Sequence, residues 1–482
     1  MKKTNIFAAL LLATTLFTVG CKKQQDPIEG SAFGRQLRAL DIVNRVDTII
    51  PNSNPANYKE LYQVTFTQPI DHNNPAAGTF NQKAYLFYVG DDRPTVFYTN
   101  GYSLNKGSAE TPFNDIAYNM NANLLMVEHR YFGSSKPAND PRWEYLTISQ
   151  AAADNHAIIQ ALKPLLQKEW VSIGTSKDGL ASIFLRYFYP DDVTVTTAFC
   201  SPVQTSLNNE LASTYMQEES GTAEERAQMR AIMERMLENG EEGLYARLLE
   251  LMRANNISTE GWSYTSYVND CMQFFFQFFC YETPSTRQLP AIDSPNDTLI
   301  LKIFNTTFKP ERDEDEDYAY SIQSAKQLGC YTQNFSRYAN LLAGTSFDAN
   351  ILRRNPCNLK NEDLWLYDSY DNSEMIEIRE NFIPNTTCPI LLVYSESDPW
   401  TGAKIDRINE QYSKMIINPL GIHNHDINTA EHYSAATRQE IMDFIARYVP
   451  YNNDPVAAKR AAQPYSHTIK MNDMFMMRNH QR

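Results

Sequence analysis

Apolar and polar positions divide the chain into segments of different rhythm. Residues 22–58 are polar with few apolar repeats. From Leu61 the pattern alternates, with Tyr62, Val64 and Phe66 separated by polar residues. That period of two predicts a half-buried strand. The turn cluster Asp71-His72-Asn73-Asn74-Pro75 follows, and then a second alternating run through Tyr85, Phe87 and Val89, which together predict an antiparallel hairpin. Next come short apolar bursts, Thr95 to Tyr98, Leu124 to Val127 and Val171 to Ile173, with helical stretches between them such as Ile148 to Leu166. Fully apolar strands alternating with helices predict a mostly parallel sheet covered on both faces, the α/β class.

The rhythm changes between residues 204 and 385. Residues 222–254 carry apolar side chains at helical spacing (Met229, Ile232, Met233, Met236, Leu237), and an aromatic-rich helix is predicted around Phe274 to Phe279. The acidic run Glu311 to Asp317 reads as a solvated face. Strand character returns from Pro389 to Tyr394, and an amphipathic helix from Thr437 to Tyr448 closes the pattern. The organisation expected is a leader (1–21), a linker and lead-in (22–58), a first core segment (59–203), a helical insertion (204–385), a second core segment (386–450) and a tail (451–482).

The leader adds a location. Lys2 and Lys3 precede an apolar run from Ile6 to Val19, then Gly20 and Cys21. That run is too short to span a bilayer comfortably and has the make-up of a secretory signal. Cysteine directly after a small residue resembles a bacterial lipobox, although Thr18 stands where leucine is usual. The expectation is an exported lipoprotein of the cell envelope, anchored through a lipid on Cys21 and touching the membrane only there. The other six cysteines permit disulfides in 15 connectivities, or buried free thiols. Their spacing forms no paired C-x-x-C set, so no metal and no cofactor are expected. A formal net charge of −14 argues against nucleic acid as a partner.

The chemistry concentrates at strand ends. Val171-Ser172-Ile173-Gly174-Thr175-Ser176-Lys177-Asp178-Gly179 reads as strand, sharp turn and helix, a nucleophile elbow with Ser176 at its tip. Such a turn exposes the hydroxyl while the helix N-terminus and the Lys177 amide face a developing oxyanion. Asp178 occupies the second glycine position of G-x-S-x-G. The strand Ile390 to Tyr394 runs into Asp398, and a later loop carries His423 and His425. Serine, acid, histidine is the chain order of hydrolases with this architecture. His423 is the favoured base, with His425 the alternative and His432 a poorer candidate.

Glu128-His129-Arg130-Tyr131-Phe132-Gly133-Ser134-Ser135, Gly174-Thr175-Ser176-Lys177 and Asp398-Pro399-Trp400 together resemble serine peptidase family thirty-seven, a group of secreted tripeptidyl aminopeptidases related to Pro-Xaa carboxypeptidase and dipeptidyl peptidase II. Gln68-Pro69-Ile70-Asp71-His72 and Tyr187 to Val193 share the likeness, which covers about 60–203 and 386–445. The resemblance implies an α/β-hydrolase fold with a largely helical cap and a peptide substrate with a free amino terminus. It further implies Ser176 as nucleophile, Asp398 as acid, His423 as base and Tyr102 as the second oxyanion amide beside Lys177. Glu128 is either a contact for the substrate amine or half of a buried ion pair with Arg130. The family usually has glycine at the position of Asp178, which sets activity apart from fold. The function expected is release of short oligopeptides from peptide N-termini through an acyl-enzyme. Two alternatives stay open: an esterase or acyl hydrolase on the same triad, and an inactive hydrolase-fold lipoprotein that binds peptides.

Overall fold

The computed structural model describes residues 31–451, apart from 139, 141 and 306–314. The leader with Cys21, the tail beyond 451 and the side chains of the acidic run lie outside the described residues.

Eleven strands are described: β1 (Val43–Thr48), β2 (Glu60–Pro69), β3 (Thr79–Tyr88), β4 (Thr95–Thr99), β5 (Asn123–Val127), β6 (Trp170–Thr175), β7 (Val195–Phe199), β8 (Asn208–Asn209), β9 (Cys330–Tyr331), β10 (Ile390–Ser395) and β11 (Lys414–Asn418). Nine form one sheet in the order β1-β2-β3-β5-β4-β6-β7-β10-β11, and β8 pairs with β9 alone. β1, β2, β3 and β5 pair antiparallel, while β5 to β11 along the sheet run parallel. The apolar bursts are the parallel strands. Every residue of β4, β6, β7 and β10 is buried, because helices cover both faces and neither side of the pleat meets water.

Alternate residues serve opposite layers. Val171, Ile173, Leu391 and Val393 pack with Ile116, Met120, Ile441 and Phe444 of the helices Asp115–Met120 and Ala435–Tyr448. On the other face, Phe97 and Leu125 meet Ile158 and Leu162 of the helix Ile148–Leu162. There too Ala198 and Leu392 meet Leu180, Ile183 and Phe184 of the helix Lys177–Phe188.

Between β7 and β10 the described residues outside β8 and β9 are mostly helical, with irregular stretches between the helices. The helices Ala223–Leu237, Leu244–Ala254 and Tyr264–Tyr281 enclose their own core of Met229, Ile232, Met236, Leu248, Phe275 and Phe279. Thr222 and Glu225 close a capping box at the first of these, satisfying two orphan amides at its N-terminus. A Cys330–Cys357 disulfide joins β9 to the segment after Arg354, whereas Cys200, Cys271 and Cys280 are free and buried.

Residues 31–58 of the lead-in are more ordered than their polar sequence suggests. Ser31 caps a helix at Ala32–Arg38, and β1 pairs with β2 at the sheet edge. An edge strand keeps much of its surface in contact with solvent, so it needs no apolar run to mark it. Among the described residues, no helix is long and apolar enough to cross a membrane.

Candidate active site

Ser176 stands between β6 and the helix Lys177–Phe188 with φ +58° and ψ −125°. An L-residue holds that conformation only when its surroundings over-determine it. Here the Ser176 amide donates to the Phe199 carbonyl of β7 at 2.8 Å, and its carbonyl accepts from Leu180 at 3.0 Å. The turn is tight enough to demand glycine on both sides. A Cβ on Gly174 would lie 2.2 Å from the Asp178 carbonyl carbon, and one on Gly179 would lie 1.9 Å from Ser201 Oγ. The half-buried serine therefore sits at the carboxyl edge of the sheet, at the N-terminus of a twelve-residue helix.

The acid and a histidine meet at the same edge. His423 Nδ1 lies 2.6 Å from Asp398 Oδ2, with the carboxylate fully buried and the ring nearly so. Asp398 Oδ1 accepts the Trp400 amide at 3.1 Å and faces the Cys280 thiol at 3.6 Å. The acid is thereby fixed from several directions while its second oxygen holds the imidazole. The His423 amide donates to the Cys280 carbonyl at 2.8 Å, so a helical element of the insertion positions the loop carrying the ring.

His425 faces elsewhere. Its Nδ1 contacts Thr175 Oγ1 at 2.6 Å, between the rings of Tyr98 and Phe199. Burial pushes its pKa down to about 4, so it is a neutral core residue at pH 7. His432 contacts the Asn424 side chain at 2.7 Å, also away from Asp398. Of the candidate bases, His423 alone holds the acid.

Asp178 is neither solvent-facing nor idle. Its Oδ1 accepts the Gly101 amide at 2.6 Å, and its Oδ2 accepts the Tyr98 hydroxyl at 2.6 Å. Thr99 Oγ1 donates to the Asp178 carbonyl at 2.8 Å. Burial raises the carboxyl to about 6, against the pull of these hydrogen bonds. Lys177, equally buried, donates from Nζ to the Gly101 carbonyl and lies over the rings of Phe132 and Tyr102, at 4.2 and 4.7 Å from their centroids. Burial pulls its pKa well below the usual lysine value. Tyr102, expected to give the second oxyanion amide, follows directly on Gly101.

The expected Glu128–Arg130 pair does not form. Glu128 is fully buried, bonding Lys83 Nζ at 2.7 Å, the amides of Leu104 and Ser134 at 2.9 Å and Ser135 Oγ at 2.8 Å. With both oxygens taken up inside the protein, Glu128 braces the loop after β5 and has none to offer a substrate amine. Arg130 instead makes a two-pronged contact with Asp154, 2.7 Å on each prong, and bonds the carbonyls of Pro69, Ile70 and Tyr145. His72 completes the cluster, 2.7 Å from Asp154. These partners lie distant in sequence, and spacing gave no signal for them.

Sequence reasoning also missed the thiols beside the acid. Cys200, at φ +47°, follows β7, and its sulfur lies within 4.8 Å of ligand atoms of Asp398 and His423. Those residues are a poor metal set. The 2.6 Å carboxylate–imidazole contact is a hydrogen bond, and burial holds Cys200 well up the scale as a neutral thiol.

The chain is similar to known proteins. A prolyl tri/tetrapeptidyl aminopeptidase of Streptomyces mobaraensis is 28% identical over 354 residues, covering 70% of this chain and 69% of the relative. A human lysosomal Pro-X carboxypeptidase is 30% identical over 180 residues, or 32% of this chain and 34% of its own. A solved proline iminopeptidase from Mycobacterium smegmatis aligns with a TM-score of 0.38 and 12% identity, covering 80% of this chain and 98% of that one. The sequence profile described as PS-10 peptidase S37 matches residues 36–465. That match takes in both sheet segments and the helices between them, so the chain belongs to the PS-10 peptidase S37 family and is a serine peptidase of α/β-hydrolase fold.

Proposed function

We propose that the protein is an aminopeptidase that releases short oligopeptides from peptide N-termini, with Ser176, Asp398 and His423 as its catalytic triad. The observation that carries this reading is the 2.6 Å contact between Asp398 and His423 at the sheet edge that also presents Ser176. In the proposed reaction Ser176 Oγ attacks the scissile carbonyl and His423 takes its proton. Asp398, hydrogen-bonded to Nδ1, holds the tautomer and stabilises the imidazolium. The amides of Lys177 and Tyr102 receive the oxyanion. His423 then protonates the leaving amine, and water releases the acyl peptide from Ser176. The Streptomyces relative's name supports the aminopeptidase assignment and the release of three or four residues.

The same proposal places the protein outside the cytoplasm, lipid-anchored in the bacterial envelope through Cys21. The leader sequence supports it, and so does the Cys330–Cys357 disulfide, a bond that persists in oxidising compartments.

A fluorophosphonate probe tests the nucleophile, since it phosphonylates an activated serine. Labelling of the parent that vanishes in Ser176→Ala is expected, and an unlabelled folded parent would sink the triad. Peptides with free and acetylated amino termini, followed by mass spectrometry, test the specificity. Di- to tetrapeptides released only from free termini are expected. Equal cleavage of acetylated peptides would remove the aminopeptidase assignment, and turnover of esters alone would make the protein an acyl hydrolase.

A further inference from the structure

Lys177 and Asp178, the two residues after Ser176, hold Gly101 from opposite ends. Asp178 Oδ1 accepts the Gly101 N–H at 2.6 Å, and Lys177 Nζ donates to the Gly101 C=O. The approach is so close that a Cβ on Gly101 would lie 2.8 Å from Lys177 Cγ and 3.0 Å from Asp178 Oδ1. A side chain there would press on both Lys177 and Asp178. Farther along the loop, the Tyr102 carbonyl accepts the His129 amide at 3.1 Å.

The Gly101 carbonyl shares its peptide unit with the Tyr102 amide. No cis bond occurs among the described residues, and in a trans peptide the C=O and N–H point in opposite directions. An ammonium that draws the Gly101 oxygen to one side therefore turns the Tyr102 N–H to the other. Lys177 is itself held in place. Its Nζ lies 4.2 Å from the Phe132 centroid, 4.7 Å from Tyr102 and 6.0 Å from Tyr320. These rings belong to the loop after β5, the loop after β4 and the helix Asp315–Gln323. Cation–π attraction over three aromatic faces offsets part of the cost of burying the charge.

We propose that Lys177 and Asp178 are positioning residues that clamp the Gly101–Tyr102 peptide and aim the Tyr102 amide at the oxyanion. On this account Lys177 has two duties. Its main chain supplies one oxyanion donor, and its side chain orients the second. The proposal gives the Glu128-to-Ser135 motif a role in the site, because Phe132 forms one wall around the lysine. It rests on the triad reading above, and its test separates the two.

The measurement is steady-state kinetics of Lys177→Met, Asp178→Ala and Asp178→Asn in the full chain, alongside the binding of a peptidyl aldehyde that mimics the tetrahedral intermediate. Losing one oxyanion donor costs about 10²- to 10³-fold in kcat. Lys177→Met is expected to lose on that order in kcat, with KM within about threefold and aldehyde affinity falling in step with kcat/KM. Asp178→Ala is expected to lose about tenfold or more in kcat, and Asp178→Asn, which keeps an acceptor for the Gly101 amide, to recover most of it. A folded Lys177→Met with kcat within about threefold of the parent overturns the clamp. So does a variant in which KM rises as aldehyde affinity falls, since that pattern reports general disorder of the site. If Lys177→Met does not fold, the Asp178 pair decides: equal kcat in alanine and asparagine variants overturns the proposal. Fluorophosphonate labelling of the same preparations reads the triad independently. A labelled parent with an unaffected Lys177→Met removes only the clamp, whereas an unlabelled parent removes the reading beneath it.

Discussion

The Tyr98 hydroxyl donates to Asp178 Oδ2 at 2.6 Å, joining the end of β4 to a residue 80 positions later in the elbow. Burial and the neighbouring carboxylate hold the phenol well above its ordinary pKa, so it stays a donor. Tyr98→Phe leaves that carboxylate oxygen without this partner in a dry site. The expected cost is about 1–3 kcal/mol in unfolding free energy, read from urea titration. A change below about 0.5 kcal/mol would show that the oxygen finds another partner.

Asp398→Asn should keep the fold and lower kcat by about 10⁴-fold, because the amide no longer enforces the required imidazole tautomer. His423→Ala should reduce turnover to a trace, whereas His425→Ala should act mainly on stability through its lost contact with Thr175. The comparison is kcat/KM against the melting temperature of each variant. Activity surviving in His423→Ala but not in His425→Ala would reverse the assignment of the base.

The buried ionisable groups give stability a pH dependence whose sign depends on the residue. His425 has its pKa lowered from 6.5 to about 4. Its contribution is complete above about pH 6.5 and is lost as the pH falls towards 4, a span of about 3 kcal/mol. Asp178, raised from 3.8 to about 6, acts in the opposite sense: its contribution is complete below about pH 4 and is lost as the pH rises through 6. Asp115 and Asp426, at about 6 and about 7, share the sign of Asp178. Parent and variant must therefore be compared at each pH. His425→Gln should lose less stability than the parent between pH 6.5 and 4 in urea melts. Parallel curves would mean that the imidazole meets water.

Arg130 and Asp154 form a fully buried pair. Removing one member strands the other charge, and Arg130→Met is expected to cost about 3–5 kcal/mol in chemical denaturation. The same variant should loosen the segment from Pro69 to His72, seen as faster amide exchange there. Unchanged exchange would detach that segment from the arginine.

Local chemistry made much of this legible. Strand-length apolar bursts and the G-T-S turn are short-range patterns, and they made the sheet and the elbow legible, while the serine–acid–histidine order along the whole chain nominated Ser176 and Asp398 as candidates. The partners of Arg130 and Glu128 were hidden, because Asp154 and Lys83 lie 24 and 45 residues away and only packing selects them. His423 and His425 share one loop two residues apart, and the path of that loop decides which ring meets the acid. Asp178 was misleading for the same reason. Taken alone it breaks a glycine motif, and only Tyr98 and Gly101, brought in by β4, reveal its contacts.

The bond from the His423 amide to the Cys280 carbonyl fastens the two halves of the molecule at the point where the imidazole is held. Cys280 lies in the last turn of the helix Tyr264–Tyr281, so the helical segment and the loop carrying His423 cannot shift apart without breaking that bond. A change in the core of that helix, remote in sequence from the sheet, would therefore be felt first at the imidazole.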